Sequence, residues 1–264
     1  MPVARYDDSG MSTPKTADTF SPAIWGHLGI ENNPDRWAVF EDQFTGGLDI
    51  AASGSQGQWY AYIDTSDTIT TSTGVKSGAA VITTAATDNN SPGLSSGVSG
   101  SMFTFQVGKA LAFETRIAVS SIATMSIFVG LIQEACNAND GWIADTQTAM
   151  ADKDYVGFVV LGDTAASTVN AAFNTYLGTD VNAKAAAHTL VANTYVSLGF
   201  RYAPSEDRVY FYVNGAKVAS QTTVRIGTTG FPDGEELGVL LAIKNGSGAA
   251  RTLTVKFVRA AVEI

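Results

Sequence analysis

RVYFYVNGAKVAS, residues 208–220, decides the fold. Its side chains alternate, with Arg208, Tyr210 and Tyr212 on one face and Val209, Phe211 and Val213 on the other. That period of two is the mark of a strand with one face buried. Asn214-Gly215 then predicts a two-residue type I′ hairpin, because both central positions need positive φ. Upstream, Tyr195–Tyr202 alternates in the same way, and Pro204 to Asp207 supplies the turn between the two runs. The result is a three-stranded antiparallel meander.

Outward from the meander the same pattern recurs. Further strands are predicted at Val39–Phe44, Gln58–Ile63, Ala79–Thr84, Ser101–Val107, Leu111–Val119 and Ser126–Ile132. The series continues with Tyr155–Leu161, Val169–Asn174, Ala216–Ser220, Leu237–Lys244 and Thr252–Ile264. Most are short, rich in β-branched or aromatic residues, and bounded by Gly, Asn, Asp or Pro. The Ala-rich run Val181–His188 reads as a short turn of helix. Many short strands with frequent turns predict an all-β, antiparallel two-sheet jelly-roll sandwich over residues 39–264.

Residues 1–38 read differently, as an irregular, extended N-terminal arm. They carry Pro2, Pro14, Pro22 and Pro34 and follow neither helical nor strand periodicity. Phe20, Ile24, Trp25 and Leu28 would be left wet in a free tail, so the arm is expected to dock, on the body or on a neighbouring subunit. The second placement makes these four residues the expected assembly contacts.

Composition excludes several classes. With 264 residues, 45% of them hydrophobic, the chain can bury a large core. A net charge of −9 with 16 scattered Lys and Arg argues against a nucleic-acid surface, which needs clustered cations to displace counterions. No basic amphipathic stretch points to a membrane surface. The single cysteine, Cys136, fits folding in a reducing cytosol, and the start MPVARYDDSGMSTPK lacks the apolar core of a signal peptide. Synthesis in a cytoplasm is the expectation.

The motifs that carry chemistry are sparse. There is no Walker loop, strand-linked GxGxxG or GxSxG elbow, and His27 and His188 lie in unrelated segments. Glycoside hydrolysis needs two carboxyl groups about 5–10 Å apart across a cleft. No E-x-D-x-E run supplies them on one strand face; Glu41 and Asp42 are adjacent and face opposite ways, and Glu235-Glu236 sit in a turn. Glu114 and Arg116 share a face and suit an ion pair. Asp88 to Asn90 and Asp152 to Asp154 read as turns. The loop from Cys136 to Trp142 is similar in kind: Asn137, Asn139 and Asp140 offer calcium-type oxygen ligands, but without the regular D-x-D-x-D-G spacing, and a turn role is the preferred reading. Trp142 is the candidate loop aromatic for stacking on a sugar, beside Trp59, Tyr60 and Tyr62 on or near a strand. A core role for Trp142 is the competing reading. No catalytic residue, metal or other cofactor is assigned.

From about residue 106 the order of elements resembles a concanavalin A-like (laminin G/lectin-type) jelly roll. The matching stretches are AFETRIAVS (112–120), FVGL (128–131), NDGW (139–142), VGFVV (156–160), YVSLGFRYAPSEDRVYFYVNGAKV (195–218) and TLTVKFVRAAVEI (252–264). With the Gly-, Ala- and Thr-rich body and the arm, the chain resembles tailed-phage virion proteins of this type. That resemblance implies a non-enzymatic virion structural protein, first a capsid decoration (cement) protein. Its expected partners are the major capsid protein and copies of itself, as a trimer. A glycan-binding adhesin or head- or tail-fibre module using the Asn137–Trp142 loop is the alternative, and a glycoside hydrolase ranks below both.

Overall fold

The computed structural model describes residues 20–30, 33–46, 48–50, 53–64, 66–72, 78–96, 102–133, 141–162, 167–176, 178, 181–218 and 224–264. A one-turn helix, α1 (Pro22–Trp25), and a 3-10 turn at Pro34–Arg36 precede the strands. These begin with β1 (Trp37–Asp42), β2 (Asp49–Ile50), β3 (Gly54–Gln56), β4 (Trp59–Tyr62), β5 (Thr68–Thr71) and β6 (Ala80–Thr83). Next come β7 (Gly93–Ser95), β8 (Phe103–Thr104), β9 (Leu111–Val119), β10 (Met125–Gln133), β11 (Tyr155–Val160) and β12 (Thr168–Asn174). The series closes with β13 (Val181–Thr189), β14 (Val196–Ala203), β15 (Arg208–Val213), β16 (Ala216–Lys217), β17 (Glu236–Asn245) and β18 (Thr252–Glu263).

They form two nine-stranded antiparallel sheets packed as a jelly-roll sandwich. The first runs β16-β15-β14-β9-β18-β6-β5-β2, with β1 also on β18. The second runs β13-β12-β11-β10-β17-β7-β4-β3, with β8 also on β17. The meander predicted from residues 195–218 is present, and Asn214 and Gly215 take φ of 50° and 73°, as a type I′ turn requires.

Alternate residues of each strand meet in the interior. Leu111, Phe113, Ile117 and Val119 of β9 face Ile127, Val129 and Leu131 of β10 and Val239, Leu241 and Ile243 of β17. Aromatic rings fill the gap: Phe113 stacks on its neighbour in the same sheet, Phe200, at 5.2 Å, and Phe211 meets Phe158 of the opposite sheet edge-on at 5.8 Å.

Two predictions are corrected. Val181–His188 is not helical; it is most of β13, the edge strand beside β12. Ala183 is buried in the core and Ala187 packs against it, so sheet burial overrides the helical preference of alanine. The strand is bulged, with Ala186 at φ 51°, and the strands that end the other three sheet edges, β16, β2 and β3, have two or three residues. Irregular and short edges deter strand addition. The second correction concerns the arm boundary: residues 37 and 38 already belong to β1, whose register on β18 pairs Trp37 with Glu263.

Candidate functional site

The strands are buried more continuously than a sandwich with two wet faces allows. All residues of β10 except Gln133 are buried, as are all of β11. Strands covered on both sides read this way, and each sheet is roofed on its outer face by the chain's own segments.

On the first sheet the roof is the described part of the arm. The outward positions of β9, β14 and β18 include Ala112, Gly199, Ala203 and Ala261, and over them lie Ile24 and Trp25. A Cβ at Gly199 would stand 2.5 Å from Ile24 Cδ1, so this glycine is the seat of the isoleucine. Ile24 is 1% exposed. Beside it Glu114, also 1% exposed, presents Oε2 to two donors: the backbone N–H of Ser21 at 2.8 Å and the Trp25 indole N–H at 2.7 Å. The Arg259 guanidinium lies 4.6 Å from the Trp25 ring and 5.0 Å from the Phe20 ring, and pairs with Glu41 at 3.2 Å. Phe20 in turn meets Phe257 edge-on at 4.7 Å. Towards β16, Arg201 donates to the Tyr212 hydroxyl at 2.9 Å and Lys217 Nζ sits 3.5 Å from the Tyr210 ring centre. Tyr210 donates to Glu206; this bond first, then burial, raises its pKa above the ordinary phenol value.

On the second sheet the roof is a strap within Gly141–Met150. Trp142, Ile143 and Met150 pack on Phe128, Ile132, Tyr155, Val159, Leu240 and Ala242. Gly130 and Gly157 pair across β10 and β11, and a Cβ on either would press within about 3 Å of the Phe128 ring. The strap is pinned by polar contacts. Trp142 donates its indole N–H to Ser91 Oγ at 2.8 Å; buried Gln147 donates to the Asn245 carbonyl at 2.9 Å and accepts from Ser126 Oγ at 3.0 Å. Lys244, whose side chain is 0% exposed, reaches Asp145 at 3.1 Å.

The predicted residues therefore fall as follows. Ile24 and Trp25 are buried on the chain's own first sheet, and Phe20 and Leu28 pack against the same cluster. Of the two docking sites considered for the arm, its described part takes the body, because the socket beneath it is built from small outward residues of the same chain. Trp142 is 2% exposed and is a core residue of the strap, not a free stacking surface. Asn137, Asn139 and Asp140 lie outside the described residues. Glu114 serves the arm, while Arg116 lies over the Tyr195 ring at 5.4 Å. Glu41 and Asp42 do diverge: the first pairs with Arg259, and the second accepts the Trp59 indole N–H at 2.7 Å. His27 sits with the arm on the first sheet, whereas His188 lies on the edge strand of the second. Among the described residues no group of three or more His, Cys, Asp or Glu is placed to hold a metal ion.

Sequence reasoning missed Gly199, Arg259, Gln147 and Lys244. One signal was available: Phe128, Ile132, Tyr155 and Val159 are apolar at outward positions, which announces a covered face. Beyond the strap, half-buried Tyr60 stands beside buried Tyr62 at 4.9 Å and in register with Ser95.

No protein-family model matches the chain, and no curated protein matches it in sequence. Solved structures do match in shape. An endo-1,3-β-glucanase from Streptomyces sioyaensis superposes with a TM-score of 0.56 at 11% identity, over 87% of this chain and 98% of that one. An endo-β-1,4-glucuronan lyase from the fungus Trichoderma reesei gives 0.54 at 13% identity, over 85% and 94%. Peanut lectin gives 0.54 at 13% identity, over 86% and 97%. The chain thus shares the concanavalin A-like jelly-roll fold with both enzymes and lectins.

Proposed function

We propose that this chain is a non-enzymatic structural protein of a bacteriophage virion, acting as a decoration protein on the capsid. The observation that carries the non-enzymatic part is the double roof. The central strands of both outer sheet faces are covered by the chain's own segments, and Glu114 and Lys244 are engaged in holding those roofs down. The small-residue composition and the arm support the virion part of the reading. On this reading the partners are the major capsid protein and further copies of the chain. The test is whether the full-length protein co-purifies with density-banded particles in a fixed ratio to the major capsid protein. Its absence from particles of a phage that encodes it overturns the reading.

A second reading is favoured by the Tyr60–Tyr62 strip. Half-buried Tyr60 on an outer sheet face, backed by buried Tyr62, suits stacking against a sugar ring, and the fold is shared with a lectin and a glucanase. This moves the glycan-binding alternative from Trp142 to Tyr60. Glycan-array binding that is lost in Tyr60→Ala but kept in Trp142→Phe would support it; no binding by the native chain sinks it.

A further inference from the structure

We propose that the Glu114 socket is a transferable receptacle, which in assembled copies receives the Phe20–Leu28 segment of a second copy of this chain. The socket belongs to the strands: Ala112 and Glu114 come from β9, Gly199 and Ala203 from β14, Arg259 and Ala261 from β18. Its shape and its single buried acceptor select one kind of occupant, a short segment with a branched aliphatic side chain followed by an indole N–H. The chain's own Ile24-Trp25 pair has that form, so every copy carries both the key and the lock.

The occupant takes its form from the socket and not from its own local structure. It is one helical turn with no side-chain cap bond, too short to be stable by itself. Eight residues, 29–36, separate the segment from β1, and they begin with Gly29 at φ +62°. Extended, that length reaches about 26–29 Å, about one and a half times the ~18 Å radius of gyration expected for a chain of this size. A neighbouring copy is therefore within reach of the segment without disturbing β1. The contacts are the same in either arrangement, so local concentration decides between them, as in other exchanges of identical elements. The inference does not depend on the capsid reading, because it concerns copies of this chain alone and applies wherever they are crowded.

Disulfide trapping tests it. In full-length chains carrying Cys136→Ser, one population receives Ile24→Cys and a second, distinguishable by tag, receives Gly199→Cys. The two are mixed at high concentration and oxidised. Exchange predicts covalent heterodimers that increase with concentration and vanish when Glu114→Ala is added to the Gly199→Cys chain. A chain carrying both cysteines reports the geometry: if it closes its own disulfide while the mixture yields no heterodimer at any concentration, exchange is overturned. Should Gly199→Cys fail to fold, Ala203→Cys at the edge of the same cluster replaces it, with the same two outcomes. Failure here leaves particle co-purification untouched, so the two proposals are separately refutable.

Discussion

The Trp25 indole N–H donates to Glu114 Oε2 at 2.7 Å, joining residues 89 apart in sequence. One buried carboxylate thereby ties the arm to the outer face of the first sheet. A carboxylate in such a place is tolerable because it accepts two N–H donors, from Trp25 and Ser21.

Glu114→Ala should strip both donors of their acceptor. We expect a loss of roughly 2–3 kcal/mol, the scale of a buried hydrogen bond to a charged group. Trp25 fluorescence should shift to the red as the arm lifts. Denaturant unfolding with that spectrum as the probe checks both; unchanged fluorescence would mean that apolar packing alone holds the arm.

Gly199→Ala should displace Ile24, because the new methyl carbon would lie 2.5 Å from Ile24 Cδ1 and 2.7 Å from the Phe113 carbonyl. Overpacking of this kind costs about 1–3 kcal/mol. In combination with Ile24→Ala part of the cost should return, giving a non-additive double-mutant cycle. Strict additivity would place the strain elsewhere.

For Trp142 the contrast is between two substitutions. Trp142→Phe loses the bond to Ser91 and should cost about 1 kcal/mol, whereas Trp142→Ala opens a cavity under the strap and should cost about 3–5 kcal/mol. Thermal unfolding measures both. A negligible effect of the alanine would mean that the strap contributes little to stability.

Lys244 and Asp145 should respond unequally. Lys244→Met exchanges a fully buried ammonium for an apolar side chain of similar length, and is expected to be near neutral. Asp145→Ala leaves the ammonium in place without that carboxylate and should be the more destabilising of the two. The reverse order in chemical denaturation would refute this account of how the strap is pinned.

Burial lowers the pKa of His188 below its ordinary 6.5. The folded chain then binds this proton less readily than the unfolded chain does. The contribution of His188 is present above the ordinary imidazole range and is lost as pH falls through it. Stability measured across that range should decline less steeply in His188→Asn than in the native chain, and the difference should be small because the ring is partly exposed. Parallel curves would remove the assignment.

Strand periodicity made most of the sandwich legible in advance. Leu111–Val119 and Arg208–Val213 were read with their observed bounds, and Asn214-Gly215 announced its own turn. Those features depend on neighbours along the chain: alternation, turn chemistry and a positive φ are local. The two-, three- and four-residue strands β2, β3, β5 and β7 were not legible, because pieces that short carry no period and exist only through their partners.

The site divides along the same line. Phe20, Ile24, Trp25 and Leu28 were recognisable as apolar residues needing cover, and Trp142 as an aromatic of consequence. What covers them was decided by tertiary structure. Glu114 meets Trp25, and Ile24 meets Gly199, only after β9, β14 and β18 have been brought side by side. The sequence by itself determined an all-β chain with an apolar arm, since those properties follow from local spacing and from the cost of wet hydrophobic surface. Only the folded sheets determined that arm and strap cover the central strands of the two outer faces, because complementarity between a roof and a sheet is a relation among distant residues that no local pattern encodes.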